Sequence, residues 1–409
     1  MNRLSRASRL AIIPKAELAT MPTRFLHTAD WQLGKPFAGI ESQEKRILVQ
    51  QERIACISRI AEIAKAKGAE FVVIAGDLFD SSTANKSTVS AACSAIGKIS
   101  VPVLVIPGNH DHGGPDSIWE QEFFLRERKT LAPNLQILLK AEPVELETAI
   151  IFPCPLMRRA ESKDVTEWLR APLAIEDSAA DKPRIVLAHG STQGFSSAND
   201  DETGSTAINQ IDLSRLPRDT FDYIALGDWH GTKQIDPYSW YSGTPEPDRF
   251  PKGDSHFPGH VLIVEVARGE LPKVEMVSTA GLKWHPFSFD FSDDASVEHF
   301  QRELDKLIEG RAGRDLVQLE LTGSLGIEAA TKLDKILDSL EARLLRIKLQ
   351  DRTVIAPTEA EIEELTLRAD DPLIAKVATQ LVEQAVGRDE AAAIARVALR
   401  ELHGYCQQA

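Results

Sequence analysis

Five apolar, strand-like runs of this chain end in side chains that can bind a metal ion. These side chains are Asp30, Asp77, Asn109 with His110, His189, and Asp228 with His230. The carboxyl ends of strands in an open α/β sheet share one edge, so we expect these residues to converge. A lone polar residue after a strand is usually a turn or cap residue, but here glycine stands beside most of them. Glycine allows the tight turns that a shared site requires.

The first part of the chain alternates between strand and helix patterns. The predicted strands cover 24–30, 71–77, 101–111, 183–190, 221–231, 261–266 and 272–278, the last two as an antiparallel pair. Apolar residues at helical spacing predict helices between the first three strands, and Gly68 closes the first of these helices. This alternation predicts an α/β layered domain.

Changes of pattern divide the chain into four parts. Residues 1–23 are predicted to be an N-terminal extension, with Met21 as an alternative start. The α/β domain follows at 24–281, and a small β-α-β-α-β unit is predicted at 282–356. Residues 357–409 carry two amphipathic helices. The polar, glycine-rich stretch 190–210 is typical of a mobile loop.

The charge and the cysteine content limit which cellular compartment and which partners are expected for this protein. With 47 basic and 61 acidic residues the net charge is −14, which opposes general affinity for a phosphate backbone. A nucleic-acid partner would therefore need a local basic groove or divalent cations. The four cysteines form no C-x-x-C pair, which favours a reducing cytoplasm. No apolar run approaches the roughly 18 residues of a membrane span, so no membrane partner is expected.

The residue types at the strand ends suit a two-metal site for phosphoester hydrolysis. Two cations about 3.5–4 Å apart share a carboxylate, acidify a water and stabilise both oxygens at phosphorus. Asp77 is the natural bridge because it ends the most buried strand. His110 follows Asn109 and is the candidate general acid for the leaving oxygen. Asp80 either orients His110 through a hydrogen bond or is a cap or turn residue.

The motifs D-x-Q, G-D-L-F-D, P-G-N-H-D, A-H-G and G-D-W-H resemble those of the calcineurin-like metallophosphoesterases. The stretches H-T-A-D at 27–30 and Y-S-G-T-P-E-P-D-R-F at 241–250 narrow the resemblance to SbcD-type DNA-repair exonucleases. It covers residues 24–290 well. The resemblance implies a β-sandwich flanked by helices (αββα), followed by a small α/β capping domain and C-terminal helices.

The resemblance also implies the ligand set. Its first metal position takes Asp30, Gln32, Asp77 and His230, and its second takes Asp77, Asn109, His189 and Asp228. His110 becomes the catalytic histidine. Gln32 and Asp228 each replace a histidine of the family pattern, one at each position. Because oxygen replaces nitrogen in both places, we expect two divalent ions that prefer hard donors, Mn²⁺ first and Mg²⁺ next.

Other residues are assigned to substrate and partners. Trp31 and Trp229 either pack at the strand ends or form a wall on which bases stack. Basic residues that either contact phosphates or are ordinary surface charges are Arg158, Arg159, Lys163, Arg249 and Lys252. The C-terminal helices either complete a core or, by resemblance, dock on the coiled coil of an SMC-like ABC ATPase. We also expect a homodimer.

The leading hypothesis is a metal-dependent DNA exo- or endonuclease acting in DNA repair. One alternative is a phosphatase or small-molecule phosphodiesterase of the same superfamily. A second is a non-catalytic subunit that binds DNA ends, for which the replacements at Gln32 and Asp228 are the best support. The extra sequence after residue 281 favours the nuclease, because a small-molecule phosphatase has little need of it.

Overall fold

The computed structural model describes residues 22–173, 175, 179–192, 208–217, 219–251, 257–309, 313–356, 358–387 and 389–408. Residues 1–21 of the predicted extension and residues 193–207 of the predicted mobile loop lie outside these ranges.

The chain forms 18 strands and eight α-helices within the described residues. The strands are Thr23–Thr28 (β1), Val72–Ile74 (β2), Val103–Val105 (β3), Leu135–Ile137 (β4), Val144–Glu145 (β5), Ile150–Cys154 (β6), Arg184–His189 (β7), Ser191–Thr192 (β8), Gln210–Ile211 (β9), Tyr223–Gly227 (β10), Lys233–Gln234 (β11), Ser239–Tyr241 (β12), His260–Val266 (β13), Lys273–Ser278 (β14), Lys283–Phe291 (β15), Asp315–Leu325 (β16), Arg346–Asp351 (β17) and Val354–Ile355 (β18). The helices are Gln43–Ala66 (α1), Lys86–Ile96 (α2), Glu122–Leu131 (α3), Ser296–Ile308 (α4), Ile327–Arg343 (α5), Glu359–Thr366 (α6), Pro372–Ala385 (α7) and Glu390–Gln408 (α8).

Two six-stranded sheets form the larger part of the molecule. The first has the order β14-β13-β1-β2-β3-β4, and its four strands from β1 to β4 run parallel. The predicted antiparallel pair is confirmed as β13 and β14. The second sheet has the order β11-β12-β10-β7-β6-β5, with parallel strands at its centre. In both sheets the strand ends that carry the polar residues come from these parallel strands.

The two sheets pack face to face around one apolar core. Phe25 and Leu104 of the first sheet meet Leu187 and Tyr223 of the second. The helices α1, α2 and α3 cover the outer face of the first sheet. On the outer face of the second sheet, short 3₁₀ turns contribute Leu169 and Leu213. The α/β fold expected for a metallophosphoesterase β-sandwich is confirmed.

A third sheet follows, with β15, β16 and β17 parallel and β18 paired to β16. Its helices α4 and α5 bury Phe300 and Leu333 against it, so the predicted β-α-β-α-β order is present. This small α/β unit contacts the loop after β1, because Trp284 packs with Phe37 and Ile40. The domain boundaries at 281 and 356 stay predictions.

In the described residues of the C-terminal part, both predicted helices are present as α7 and α8, and a third helix, α6, was not predicted. The additional helix α6 begins at a capping box formed by Thr358 and Glu361, a short signal that the longer amphipathic patterns obscured. Apolar side chains of α6, α7 and α8 pack with Ile327 at the start of α5. Among the helices that the structure describes, none is long and apolar enough to cross a membrane.

The polar strand ends belong to two sheets, whereas the sequence pattern suggested one edge of a single sheet. Asp30 and Asp77 follow β1 and β2 of the first sheet, while His189 ends β7 and Asp228 follows β10 of the second. Strand β3 ends at Val105, so the P-G-N-H-D motif lies in a turn rather than in the predicted strand. The residues meet because the sheets face each other and their parallel strands end on the same side.

Candidate metal centre

The strand ends are joined directly across the two sheets. The main-chain N–H of Asp228 lies 3.2 Å from each carboxylate oxygen of Asp30. Within the first sheet, the N–H of Asp30 donates to the carbonyl oxygen of Gly76 at 3.1 Å. The N–H of His110 donates to Asp77 Oδ1 at 3.0 Å. These bonds bring residues nearly 200 positions apart into one site.

The backbone is strained at four of the predicted ligands. The φ angles are 55° at Asp30, 42° at Gln32, 54° at Asp77 and 104° at Asp228. Aspartate visits this left-handed region more readily than glutamine does, but both pay a conformational cost. The N–H of Gln32 donates to the carbonyl of Asp77 at 2.9 Å, which holds the two loops together. The strain therefore lies where the polar side chains are turned toward one another.

Two motif glycines are required by close approach to ligand side chains. A Cβ atom on Gly76 would lie 2.2 Å from His189 Nδ1. A Cβ on Gly108 would lie 2.1 Å from Asp77 Oδ1 and 2.6 Å from the Asp77 main-chain nitrogen. The glycines of A-G-D and P-G-N-H-D thus leave the space that the carboxylate and the imidazole fill.

Asp30, Asp77 and His189 form the densest group of potential metal ligands among the described residues. One ligand atom of each lies within 4.8 Å of the others, and all three residues are buried. His189 Nδ1 donates to the carbonyl of Ala75 at 2.7 Å, which leaves Nε2 to face the site. From there Nε2 is 2.8 Å from Asn109 Oδ1 and 3.7 Å from Asp77 Oδ1.

Asp228 joins this group from the second sheet. Its Oδ1 lies 3.9 Å from His189 Nε2, and its Oδ2 accepts a hydrogen bond of 2.7 Å from Ser191 Oγ. Carboxylate and amide oxygens with one imidazole nitrogen are a donor set that suits a hard or borderline divalent cation. The second predicted ligand group, which contains Asp77, Asn109, His189 and Asp228, is therefore brought together and fits such an ion.

The buried charges shift one another's ionisation. Burial raises the pKa of Asp30 to about 6, although His230 and His189 act in the opposite direction. Burial alone would lower the pKa of His189, but Asp77, Asp30 and Asp228 raise it to about 9. The three carboxylates around this imidazolium therefore stabilise a positive charge in the site. They would stabilise a divalent cation in the same way.

His110 is held by the main chain rather than by a carboxylate. Its Nδ1 donates to the carbonyl oxygen of Asp80 at 2.8 Å, and its Nε2 is 4.0 Å from Asp77 Oδ2. The predicted hydrogen bond from His110 to Asp80 is present, and its acceptor is the main-chain carbonyl rather than the carboxylate. That carboxylate instead lies 3.4 Å from Lys35 Nζ. With Nδ1 anchored, His110 presents Nε2 to the site, as a proton donor requires.

Gln32 and His230, predicted for the first metal position, contact each other. The Gln32 amide nitrogen lies 3.3 Å from His230 Nε2, and its Oε1 accepts a hydrogen bond of 2.6 Å from Lys35 Nζ. His230 Nδ1 donates to Asp248 Oδ1 at 3.1 Å. Despite burial, which acts in the opposite direction, His230, Arg249 and Lys35 hold the Asp248 pKa well below its usual range. Sequence reasoning missed both Lys35 and Asp248.

Arg53 is a further residue that sequence reasoning missed. Its buried guanidinium donates to the carbonyl of Trp31 at 2.9 Å from Nε, lies 3.3 Å from the carbonyl of Asp30, and donates to Glu246 O at 2.8 Å. It therefore fixes the loop that carries two predicted ligands. The available signal was an arginine at helical spacing on the apolar face that also contains Val49.

The residues predicted to bind substrate have different surroundings. Trp31 is only 2% exposed and donates to Thr28 Oγ1 at 2.9 Å, so it is a core residue with no face for a base. Its assignment to substrate binding was wrong. Trp229 is half-buried beside the outer core of the second sheet, and base stacking by its ring stays a prediction. Arg249 Nη2 pairs with Asp248 Oδ2 at 3.1 Å. Lys252 lies outside the described residues.

Comparison with known proteins places the chain in a family. Residues 23–232 match the calcineurin-like phosphoesterases, which is slightly more than half of the 409 residues. The chain belongs to this family of metal-dependent phosphoester hydrolases.

Similar solved structures include TT1561 of Thermus thermophilus, with 14% identity, a TM-score of 0.37, and coverage of 63% of this chain and 100% of that chain. Another is GAP50, the anchor in the inner membrane complex of Plasmodium, with 14% identity, a TM-score of 0.33, and coverage of 64% and 91%.

Proposed function

We propose that this protein is a DNA exo- or endonuclease of the SbcD type that acts in DNA repair and uses two divalent ions, preferably Mn²⁺. Bound ions would neutralise the phosphate charge and lower the pKa of a water. Asp30, Asp77, His189 and Asp228 supply the charged and imidazole ligands, and Gln32, Asn109 and His230 complete the two positions. His110, fixed through Nδ1, gives a proton to the departing oxygen from Nε2.

The observation that carries the choice of substrate is the contact between the site loops and the small α/β unit. Phe250, two residues after Asp248, packs edge-on against Trp284 with 4.9 Å between ring centroids. Phe37 in the loop after Gln32 joins the same apolar cluster. The unit is therefore anchored beside the rim of the site, where it extends the surface available to a long substrate. A polymer such as DNA uses such a surface, whereas a small phosphoester does not need it.

The second candidate is a phosphatase or small-molecule phosphodiesterase. Its support is that the family match ends at residue 232, before the small unit begins. A non-catalytic DNA-end-binding subunit is the third, and the hydrogen bonds that occupy Gln32 are its support.

One experiment separates the three candidates. The purified full chain is incubated with Mn²⁺ and linear single- or double-stranded DNA, and in parallel with an aryl phosphodiester and a phosphomonoester. Asp77→Ala and His110→Ala are tested beside Asp338→Ala, which removes a carboxylate from α5, far from the site in sequence. We expect DNA cleavage that the first two substitutions abolish and the third leaves unchanged. Monoester cleavage alone would favour the phosphatase, and DNA-end binding without hydrolysis would favour the third candidate.

We further propose that the C-terminal helices bind the coiled coil of an SMC-like ABC ATPase. Leu373 on α7 and Ile394 on α8 are exposed by 72% and 63%, as expected for side chains that a partner helix would cover. Leu373→Asp together with Ile394→Asp should abolish binding to such a coiled coil in analytical ultracentrifugation. The same measurement without the partner tests the proposed homodimer.

A further inference from the structure

Lys35 places an ammonium group among residues of the first metal position. Its Nζ donates to Gln32 Oε1 at 2.6 Å. It also lies 3.1 Å from Asp248 Oδ2 and 3.4 Å from Asp80 Oδ1. The side chain is only 21% exposed, so water screens its charge weakly. One lysine therefore connects the D-x-Q loop, the G-D-L-F-D loop and the P-E-P-D loop.

The contacts of Lys35 occupy the atom through which Gln32 would bind a metal. An amide oxygen that accepts from an ammonium shares its lone pairs, and a divalent cation brought to it meets a like charge. Another predicted ligand atom of this position, His230 Nε2, faces the Gln32 amide nitrogen at 3.3 Å. If the Lys35 ammonium moves toward Asp248, its charge stays close to the first metal position. The reason is that Asp248 itself pairs with His230, a predicted ligand of that position, and with Arg249.

The second position has different neighbours. Asp77 Oδ2 lies 4.0 Å from His110 Nε2 and Asp77 Oδ1 lies 3.7 Å from His189 Nε2, while Asp228 Oδ1 lies 3.9 Å from His189 Nε2. A cation at this position meets the carboxylates of Asp77 and Asp228, whereas a cation at Gln32 meets the ammonium of Lys35.

From this contrast we propose that Lys35 makes the two metal positions unequal. The position of Asp77, Asn109, His189 and Asp228 holds its ion tightly. The position of Gln32 and His230 takes its ion weakly, and only when the Lys35 ammonium moves off Gln32. This inference rests on the proposed metal-dependent function. Lys35 is a positioning residue, and it makes occupation of the first position depend on the concentration of free metal.

Metal binding tests the inference without any substrate. The metal-stripped full chain is titrated with Mn²⁺ by calorimetry, and retained metal is counted by mass spectrometry after dialysis. The wild type should retain one equivalent and bind a second weakly. Lys35→Met should tighten binding of this weak equivalent, at the first position, by about tenfold or more, because it removes the like charge. Lys35→Arg keeps the charge and should behave as the wild type, as should Lys98→Met, which removes an exposed charge beyond α2.

The possible results lead to different conclusions. Two equally tight ions in the wild type, or the same gain in Lys98→Met as in Lys35→Met, would overturn the inference. If Lys35→Met does not fold by circular dichroism, Lys35→Gln makes the same test with a polar side chain. Failure of the wild type to bind any Mn²⁺ would overturn the metal-dependent function as well. If the two sites bind metal unequally but the protein cleaves no DNA, the proposed nuclease activity is contradicted and the inference about Lys35 is not.

Discussion

The two halves of the candidate metal centre are built from similar residues but are neutralised differently. Around Asp77 and His189 the charge is negative, and hydrogen bonds from main-chain groups and the space left by glycines hold the side chains. Around Gln32 and His230, Lys35 and Asp248 already provide hydrogen-bond partners. Equal numbers of ligands therefore do not imply equal affinity, because the charges next to the ligands decide what each half can hold.

The largest effect should come from the residue that both halves share. Asp77→Ala removes the predicted bridging carboxylate and the acceptor of the His110 N–H. We expect phosphoester hydrolysis to fall on the order of 10³-fold or more, since ligand and proton donor are disturbed together. Steady-state kinetics with Asp338→Ala as the control measures it. Activity within a few-fold of the wild type would show that Asp77 is no bridge.

The negatively charged half should bind metal in a strongly pH-dependent way. A ligating His189 must lose the proton that it holds below a pKa of about 9. The affinity for Mn²⁺ should therefore fall as the pH falls, by about a hundredfold from about pH 8.5 to about pH 6.5. Calorimetry in several buffers also detects the released proton. An affinity that stays constant over this range would contradict the protonated state of His189.

The glycine that borders Asp77 should matter more than a glycine in open space. Gly108→Ala places a methyl group 2.1 Å from Asp77 Oδ1, so we expect a loss of about 1–3 kcal/mol in the free energy of unfolding. Gly68→Ala is the comparison, because its Cβ meets no atom within 4 Å and only its φ of 66° opposes the change. Urea denaturation measures both. A larger loss for Gly68→Ala would mean that packing at Asp77 is loose.

The smallest effect should come from restoring the family's histidines in both halves. Gln32→His together with Asp228→His gives each half one more nitrogen ligand. The affinity ratio of Zn²⁺ to Mn²⁺ should rise about tenfold. Competition titrations of the double variant and each single variant measure the ratio. An unchanged ratio would return Gln32 to the role of a strand-end turn residue.

Local patterns were sufficient to predict which polar residues come together, but not their surroundings. Asp30, Asp77, His189 and Asp228 each follow or end an apolar run, and a glycine stands next to Asp77, His189 and Asp228, so hydrophobic periodicity and turn chemistry point to them. Arg53, Lys35 and Asp248 lie in a helix or loops with ordinary composition. Their roles depend on contacts between residues far apart in the chain, such as Lys35 and Asp248, which no local pattern encodes.

For Trp31 and Asp80, local patterns suggested a role in the site but did not give the direction of the side chain. Trp31 lies between two predicted ligands and Asp80 lies three residues after Asp77, and these positions suggested roles in the site. Trp31 faces the core and Asp80 uses its carbonyl, because side chains next to each other on a strand end point in different directions.

The sequence by itself determined many of the longer strands, most helices, the kind of chemistry and the set of predicted ligands, because apolar period, glycine position and side-chain donors are local properties. The tertiary structure alone decided that the ligands come from two facing sheets and that Lys35 lies against Gln32. It also decided which atom orients His110. These features depend on how separate loops approach one another. That approach is set by the packing of the two sheets, which is a property of the whole core.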